Sequence, residues 1–140
     1  MEAITYNPTS LKRTMKDSMN QSQEFAHIRK VFAALDGQEV DPLADLVTDD
    51  IRLRLGNQPT TRGKRAYVAA VESFLVSVTS FRHEIINLWG AGNAVIAELN
   101  VHYVRLDGAE VSLPCCNVFE LRDGLVSDYR SYIDINPVYQ

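Results

Sequence analysis

The sequence predicts one soluble α+β domain, in which a curved, mostly antiparallel sheet and three packed helices form a cup for a small, largely apolar molecule. Three observations predict it. Apolar residues recur at helical spacing in the first half of the chain, they switch to alternation in the second half, and the pairs Asp107-Gly108 and Asp123-Gly124 separate the last strands as hairpin turns do. Helices first and consecutive hairpin strands later argue for segregated layers rather than parallel βαβ units.

Residues 1–21 carry Asn7, Pro8, Lys12, Arg13 and Lys16 without sustained periodicity and read as a polar arm. From Ser22 the residues Phe25, Ile28, Phe32 and Leu35 mark a first helix, and Gly37 just beyond Asp36 ends it. Asp41 as N-cap with Pro42 at the first helical position opens a second helix of one or two turns, which buries Leu43, Leu46 and Val47. Thr48-Asp49-Asp50 reads as a turn, and Ile51 to Leu55 alternates as a half-buried strand with Leu53 and Leu55 inward. After the polar loop Gly56 to Gly63, the residues Tyr67, Val68, Val71, Phe74, Leu75 and Val78 form the apolar stripe of a third helix. Four strands follow, over residues 81–89, 94–105, 109–121 and 125–135.

Composition narrows the function. A 140-residue chain with 46% hydrophobic and 23% charged residues has the material for one core and is not the composition of a disordered chain. The basic residues are scattered singly and the net charge is -4, so nucleic acid is not an expected partner. No apolar run of membrane-spanning length and no secretory leader is evident, so no membrane partner and a cytoplasmic setting are expected. Cys115 and Cys116 are adjacent, point to opposite faces of a strand and cannot share a metal, so they read as reduced thiols.

Strand parity assigns faces, with the more apolar set turned toward the helices. The inward set is Val95, Ala97, Leu99, Val101 and Tyr103; then Val111, Leu113, Cys115, Asn117, Phe119 and Leu121; then Leu125, Ser127, Tyr129, Ser131 and Ile133. The aromatic parity Phe81, His83, Ile85 and Trp89 is taken as inward too. Tyr103, Asn117, Tyr129 and Ser131 thus punctuate an aliphatic wall, a mixture that suits a pocket. Asn117 is costly at such a position unless a ligand, a neighbour or water pairs with its amide. His83 is either an acid or base, since imidazole titrates near neutrality, or a satisfied rim histidine. Asp36 either aims into the cup to orient that imidazole or is a solvated helix end. His102 and Glu98 fall on the outer face, where Pro114, Cys116 and Tyr132 suit pairing of two copies as a homodimer.

The order of elements, with the segments FAALDGQEVDPLADLVTDDIRLRL, TTRGKRAYVAAV, FRHEIINLWGAGNAVIAEL and NVFELRDGLVSDYRSYID, resembles the SnoaL-like branch of the nuclear transport factor 2-like superfamily over about residues 22–135. The resemblance implies a cone-shaped, curved mixed or antiparallel sheet with three N-terminal helices, a cystatin-like roll, over residues 22–140. Members include polyketide cyclases, ketosteroid isomerases, limonene epoxide hydrolases, scytalone dehydratases and proteins that bind without catalysis. The Arg-x-Asp pair and the Asp of limonene epoxide hydrolases look like Leu99, Val101 and Ser131 here, which disfavours that route. The Tyr, basic Asp and oxyanion-holding Asp of ketosteroid isomerases look like Phe32, Leu55 and Asn117. Scytalone dehydratase matches better, its Asp, His and Asn resembling Asp36, His83 and Asn117 and its Ser resembling Cys115, although its second His and a Tyr would fall near Tyr103 and Leu55.

The expectation is therefore an acid–base lyase, isomerase or cyclase that needs no metal or organic cofactor and acts on a carbonyl or polyketide-like compound. His83, Asp36 and Asn117 are its candidate catalytic residues. Phe32, Leu53, Leu55, Leu99, Val101, Tyr103, Leu113, Cys115, Tyr129, Ser131 and Ile133 are its candidate substrate-binding residues. The alternative is a non-catalytic ligand-binding or dimeric interaction module.

Overall fold

The computed structural model describes the backbone of residues 8–140 and the side chains from Gln21 onward. Of the expected polar arm, residues 1–7 lie outside the described residues, and from Pro8 the backbone is already helical. Helix α1 runs Pro8–Asp36, far ahead of the expected start at Ser22. Good helix formers such as Lys, Gln and Met extend a nucleated helix at little cost, so a helix can outrun its own apolar stripe. It ends after Asp36 as expected, but the left-handed residue is Gln38 (φ 55°) and not Gly37. Gly37 serves close approach instead, since a Cβ there would meet the Ala33 carbonyl oxygen at 3.2 Å.

Helix α2 is the short turn Val40–Ala44, with Glu39 at the N-cap and Asp41 inside its first turn rather than capping it. Strand β1 spans Val47–Leu55, so the expected turn at Thr48-Asp49-Asp50 belongs to the strand, where a register irregularity between Val47 and Arg52 absorbs it. A two-residue strand β2, Thr61–Arg62, interrupts the expected loop, and α3 follows over Lys64–Leu75. The long strands are β3 (Ser80–Ala91), β4 (Ala94–Val104), β5 (Glu110–Arg122) and β6 (Leu125–Tyr132), and a last turn α4 covers Asn136–Tyr139. Asp123 and Gly124 both take positive φ, as the tight turn between β5 and β6 requires.

The six strands form one sheet in the order β2-β1-β6-β5-β4-β3. Every pairing is antiparallel except β1 with β6, which is parallel and makes the sheet mixed. The helices cover one face, where Ile28, Val31 and Phe32 of α1 and Tyr67 and Val71 of α3 are buried with Val95, Leu99, Val101 and Phe119 of the sheet. Among the described residues no helix is long and apolar enough to cross a membrane.

Two bulges correct the assigned faces. Ile86 is an extra residue between the pairs Ile85–Leu99 and Asn87–Glu98, so the parity of β3 flips beyond it: Leu88 packs against the core and Trp89 is 50% exposed. In β6 the partner of Leu121 is Val126 while Glu120 faces Asp128, which leaves Ser127 as the extra residue and buries Val126 in its place.

Candidate active site

Between the helices and the concave face lies a cavity of about 1030 Å³, walled by β1, α3, the inward residues of β3 to β6 and the segment leading into α4. Its walls are apolar over much of their area because alternate residues of each strand turn the same way. Phe74, Phe81 and Tyr103 pack edge-on or stacked on one another, with ring centroids 5.2 to 6.2 Å apart, and present aromatic surface to it.

The end of α1 is packed beside β3, which brings two candidate residues together. His83 Nδ1 lies 2.6 Å from Asp36 Oδ1, and the backbone N–H of His83 donates to the same carboxylate at 3.1 and 3.2 Å. A carboxylate only accepts, so the imidazole donates through Nδ1, and in the neutral ring Nε2 carries the lone pair. Nε2 has no hydrogen-bond partner among the described residues, and His83 lines the cavity. Phe32 stacks on the ring at 4.6 Å and Phe81 meets it edge-on at 5.3 Å, so packing fixes its orientation. Asp36 itself sits at the C-terminal, negative end of the helix dipole, where a carboxylate is disfavoured. Its hydrogen bonds to His83 offset that cost.

Across the cavity, β5 and β6 supply a polar group of a different kind. Asn117 is 1% exposed and its amide is satisfied by side chains: Nδ2 donates to the Tyr129 hydroxyl at 3.1 Å, and Oδ1 accepts from the Cys115 thiol at 3.2 Å. The Ser131 hydroxyl lies 3.4 Å from the same sulfur and is its donor, because the single S–H is already given to Asn117. Tyr129 accepts from Asn117, and its own O–H finds no acceptor among the described residues. Burial pushes the Tyr129 phenol well above its ordinary value, does the same to Tyr103 and Tyr67, and raises the Cys115 thiol. These groups therefore remain neutral hydrogen-bond donors at physiological pH.

Ten expected residues meet at this one cavity: His83, Asn117, Leu53, Leu55, Val101, Tyr103, Cys115, Tyr129, Ser131 and Ile133. Four do not line it. Asp36 stands behind His83, and Phe32 and Leu99 fill the core, 3% and 1% exposed, with Phe32 wedged against His83 and Phe119. Leu113 packs against the core outside the cavity wall. Unexpected wall residues come from α3, α4 and the loops, including Tyr67, Phe74, Thr60 and Tyr139. Tyr67 is fully buried and its hydroxyl has no hydrogen-bond partner among the described residues. In the sequence it sat in the apolar stripe of the third helix, and its hydroxyl was the signal that this position is more than packing.

Residues 28–129 match the SnoaL-like domain. No curated protein matches the sequence. Among solved structures, a nuclear transport factor 2-like protein of unknown function from Burkholderia pseudomallei K96243 superposes with a TM-score of 0.76 at 11% identity, covering 82% of this chain and 93% of that one. A protein assigned as a SnoaL-like polyketide cyclase from Jannaschia sp. CCS1 gives 0.75 at 18% identity, over 84% and 90% of the two chains. An LEH-like epoxide hydrolase from M. tuberculosis gives 0.73 at 21% identity, over 84% and 87%. At these identities the likeness is one of fold.

Proposed function

The chain belongs to the SnoaL-like domain family, and on that footing we propose that it binds a small, largely apolar compound of the carbonyl or polyketide type and moves a proton on it with its own side chains. The observation that carries this reading is the His83–Asp36 contact of 2.6 Å at the wall of an aromatic-lined cavity. His83 Nε2 takes a proton from the carbon beside the carbonyl, and the electron pair of that C–H bond passes to the carbonyl oxygen. A protonated phenol, Tyr129 or Tyr103, donates to the developing enolate oxygen, an effect worth about 3 kcal/mol per well-placed donor. The imidazolium, stabilised by Asp36, then returns its proton to carbon or to a departing hydroxyl. A positioned base adds about a hundredfold or more. Lyase, isomerase and cyclase reactions all share this first step.

The test is titration of the protein with bicyclic aromatic ketones, with deuterium uptake beside the carbonyl followed in D₂O. Wild-type protein should show shifts at Leu53, Phe74 and Ser131 and accelerate uptake, while His83→Ala should bind and not accelerate. Equal uptake with both proteins would remove His83 from the chemistry. A second reading, sequestration without turnover, draws support from Leu55, Val101 and Ser131, which stand where other members of the superfamily would carry acids. Binding without uptake in wild-type protein favours it. For the outer face we propose pairing of two copies, supported by the exposure of Ile86, Trp89 and Tyr132; sedimentation of wild type against Tyr132→Arg tests it.

A further inference from the structure

The far edge of the outer face carries charges that the cavity chemistry does not use. Arg52, Arg54, Arg62 and Arg130 are scattered in the sequence, but the sheet register assembles them. Arg52 faces Arg62 across β1 and β2, and Arg54 faces Arg130 across β1 and β6. Like charges directly opposite each other destabilise a sheet, and here two such pairs stand side by side.

The carboxylates present do not neutralise them. Asp128 lies between the pairs, its side chain only 8% exposed, with Oδ2 taken by Arg52 at 2.7 Å and Oδ1 taken by Arg130. Glu120 reaches Arg130 at 3.4 Å. Among the described residues neither Arg54 nor Arg62 forms an ion pair. Four guanidiniums against two carboxylates leave an excess of two positive charges around a hollow of about 290 Å³, which Thr60 completes with a hydroxyl.

We infer that this hollow is a binding site for a phosphate-type dianion, either free phosphate or the phosphate of a monoester. The charge of such a group at neutral pH, about -1.5 to -2, matches the excess. Its several oxygens suit the planar forks of Arg54 and Arg62, which bind phosphate bidentately. A carboxylate would bring half the charge. The basic residues close on one hollow and form no row along which a nucleic-acid backbone could run. Thr60, in the loop between β1 and β2, also lines the large cavity, so an anion held here would touch that cavity's rim. The site stands on the arginine register alone and does not depend on the role of His83.

The experiment is titration with inorganic phosphate against sodium chloride at equal ionic strength, read by calorimetry and by amide shifts, on wild-type protein and on the double variant Arg54→Gln, Arg62→Gln. Both side chains are on the outer surface, so the variant should fold, and its melting temperature without phosphate should equal or exceed that of wild type. Expected for wild type is saturable binding at one site with shifts at Thr60 and Arg54, weakened at least tenfold in the variant. A parallel titration with 1-naphthyl phosphate separates the two sources: tighter binding with shifts spreading to Leu55 marks the anion as the tail of a cavity ligand, and equal binding marks it as free phosphate. The site is overturned if wild type responds to phosphate no more than to chloride, if the variant binds as tightly, or if the arginines are covered by a second copy whose dimer the variant dissociates.

Discussion

Removing a single oxygen from Tyr67 should make the protein more stable, against the usual direction of core substitutions. The Tyr67 hydroxyl is wholly buried and has no partner among the described residues. A buried polar group without a partner costs about 1–3 kcal/mol. Tyr67→Phe leaves the ring in place and opens a void of about one oxygen atom, roughly 10–15 Å³, worth about 0.3 kcal/mol at the usual cavity penalty. The net gain is about 1–2 kcal/mol, which for a chain of this size raises the melting temperature by about 3–8 °C. Urea denaturation and calorimetry both read it, as a higher midpoint with an unchanged slope. An unfolding free energy lower than that of wild type by about 1 kcal/mol or more would show that the hydroxyl is paired and would refute the reasoning.

Other perturbations follow from the same geometry. Burial raises the phenols of Tyr67, Tyr103 and Tyr129, so the native state keeps protons that the unfolded chain releases. Their contribution is complete below about pH 10 and is lost as pH rises further, by up to about 1.4 kcal/mol per pH unit for each. Tyrosinate absorbance followed with circular dichroism should show these three ionising only as the fold is lost, and their ionisation near pH 10 in folded protein would contradict the burial. Asp36→Asn replaces a charge-assisted hydrogen bond with a weaker one. With Asp36 a quarter exposed, the expected loss is about 1–2 kcal/mol by denaturation, together with at least a tenfold fall in ketone exchange; unchanged values for both would sever Asp36 from His83. Iodoacetamide should spare Cys115, whose thiol is buried and raised, in folded protein and label it only on unfolding, and mass spectrometry finding it labelled in folded protein would place Cys115 at the surface.

Much of this arrangement was legible in the chain. Alternation gave the inward faces of β4 and β5 directly, and those put Val101, Tyr103, Cys115 and Asn117 in one wall. What alternation cannot encode is a bulge. One extra residue at Ile86 and another at Ser127 reverse the parity beyond them, which is why Trp89 faces outward and Val126 is buried in place of Ser127. The two-residue strand β2 and the turn α4 are too short to leave a periodic signal.

The site was legible where chemistry was concentrated in few residues. An Asp at a helix end and a His at a strand start have no local reason to meet, so the residues alone left Asp36 open between orienting His83 and a solvated helix end, and the resemblance favoured the pair. Phe32 and Leu99 share faces with the cavity residues but lie where the packing closes, so parity could not tell wall from core. Tyr67 was hidden by its ring, which fits an apolar stripe whether or not the hydroxyl has work to do. The arginine cluster was hidden by sequence distance, because Arg52 and Arg62 become neighbours only through the β1–β2 register, and Arg54 and Arg130 only through the parallel pairing of the first and last strands.

The proposed chemistry requires that Asp36 hold the imidazole proton on Nδ1 and leave Nε2 free as a base at the cavity wall. Long-range ¹H–¹⁵N correlation spectroscopy of the imidazole in the ligand-free protein, recorded at about pH 9 where an ordinary imidazole is neutral, reads that tautomer without knowledge of the substrate. Expected for His83 is a protonated Nδ1 and an unprotonated Nε2. A proton resting on Nε2 would contradict the proposal.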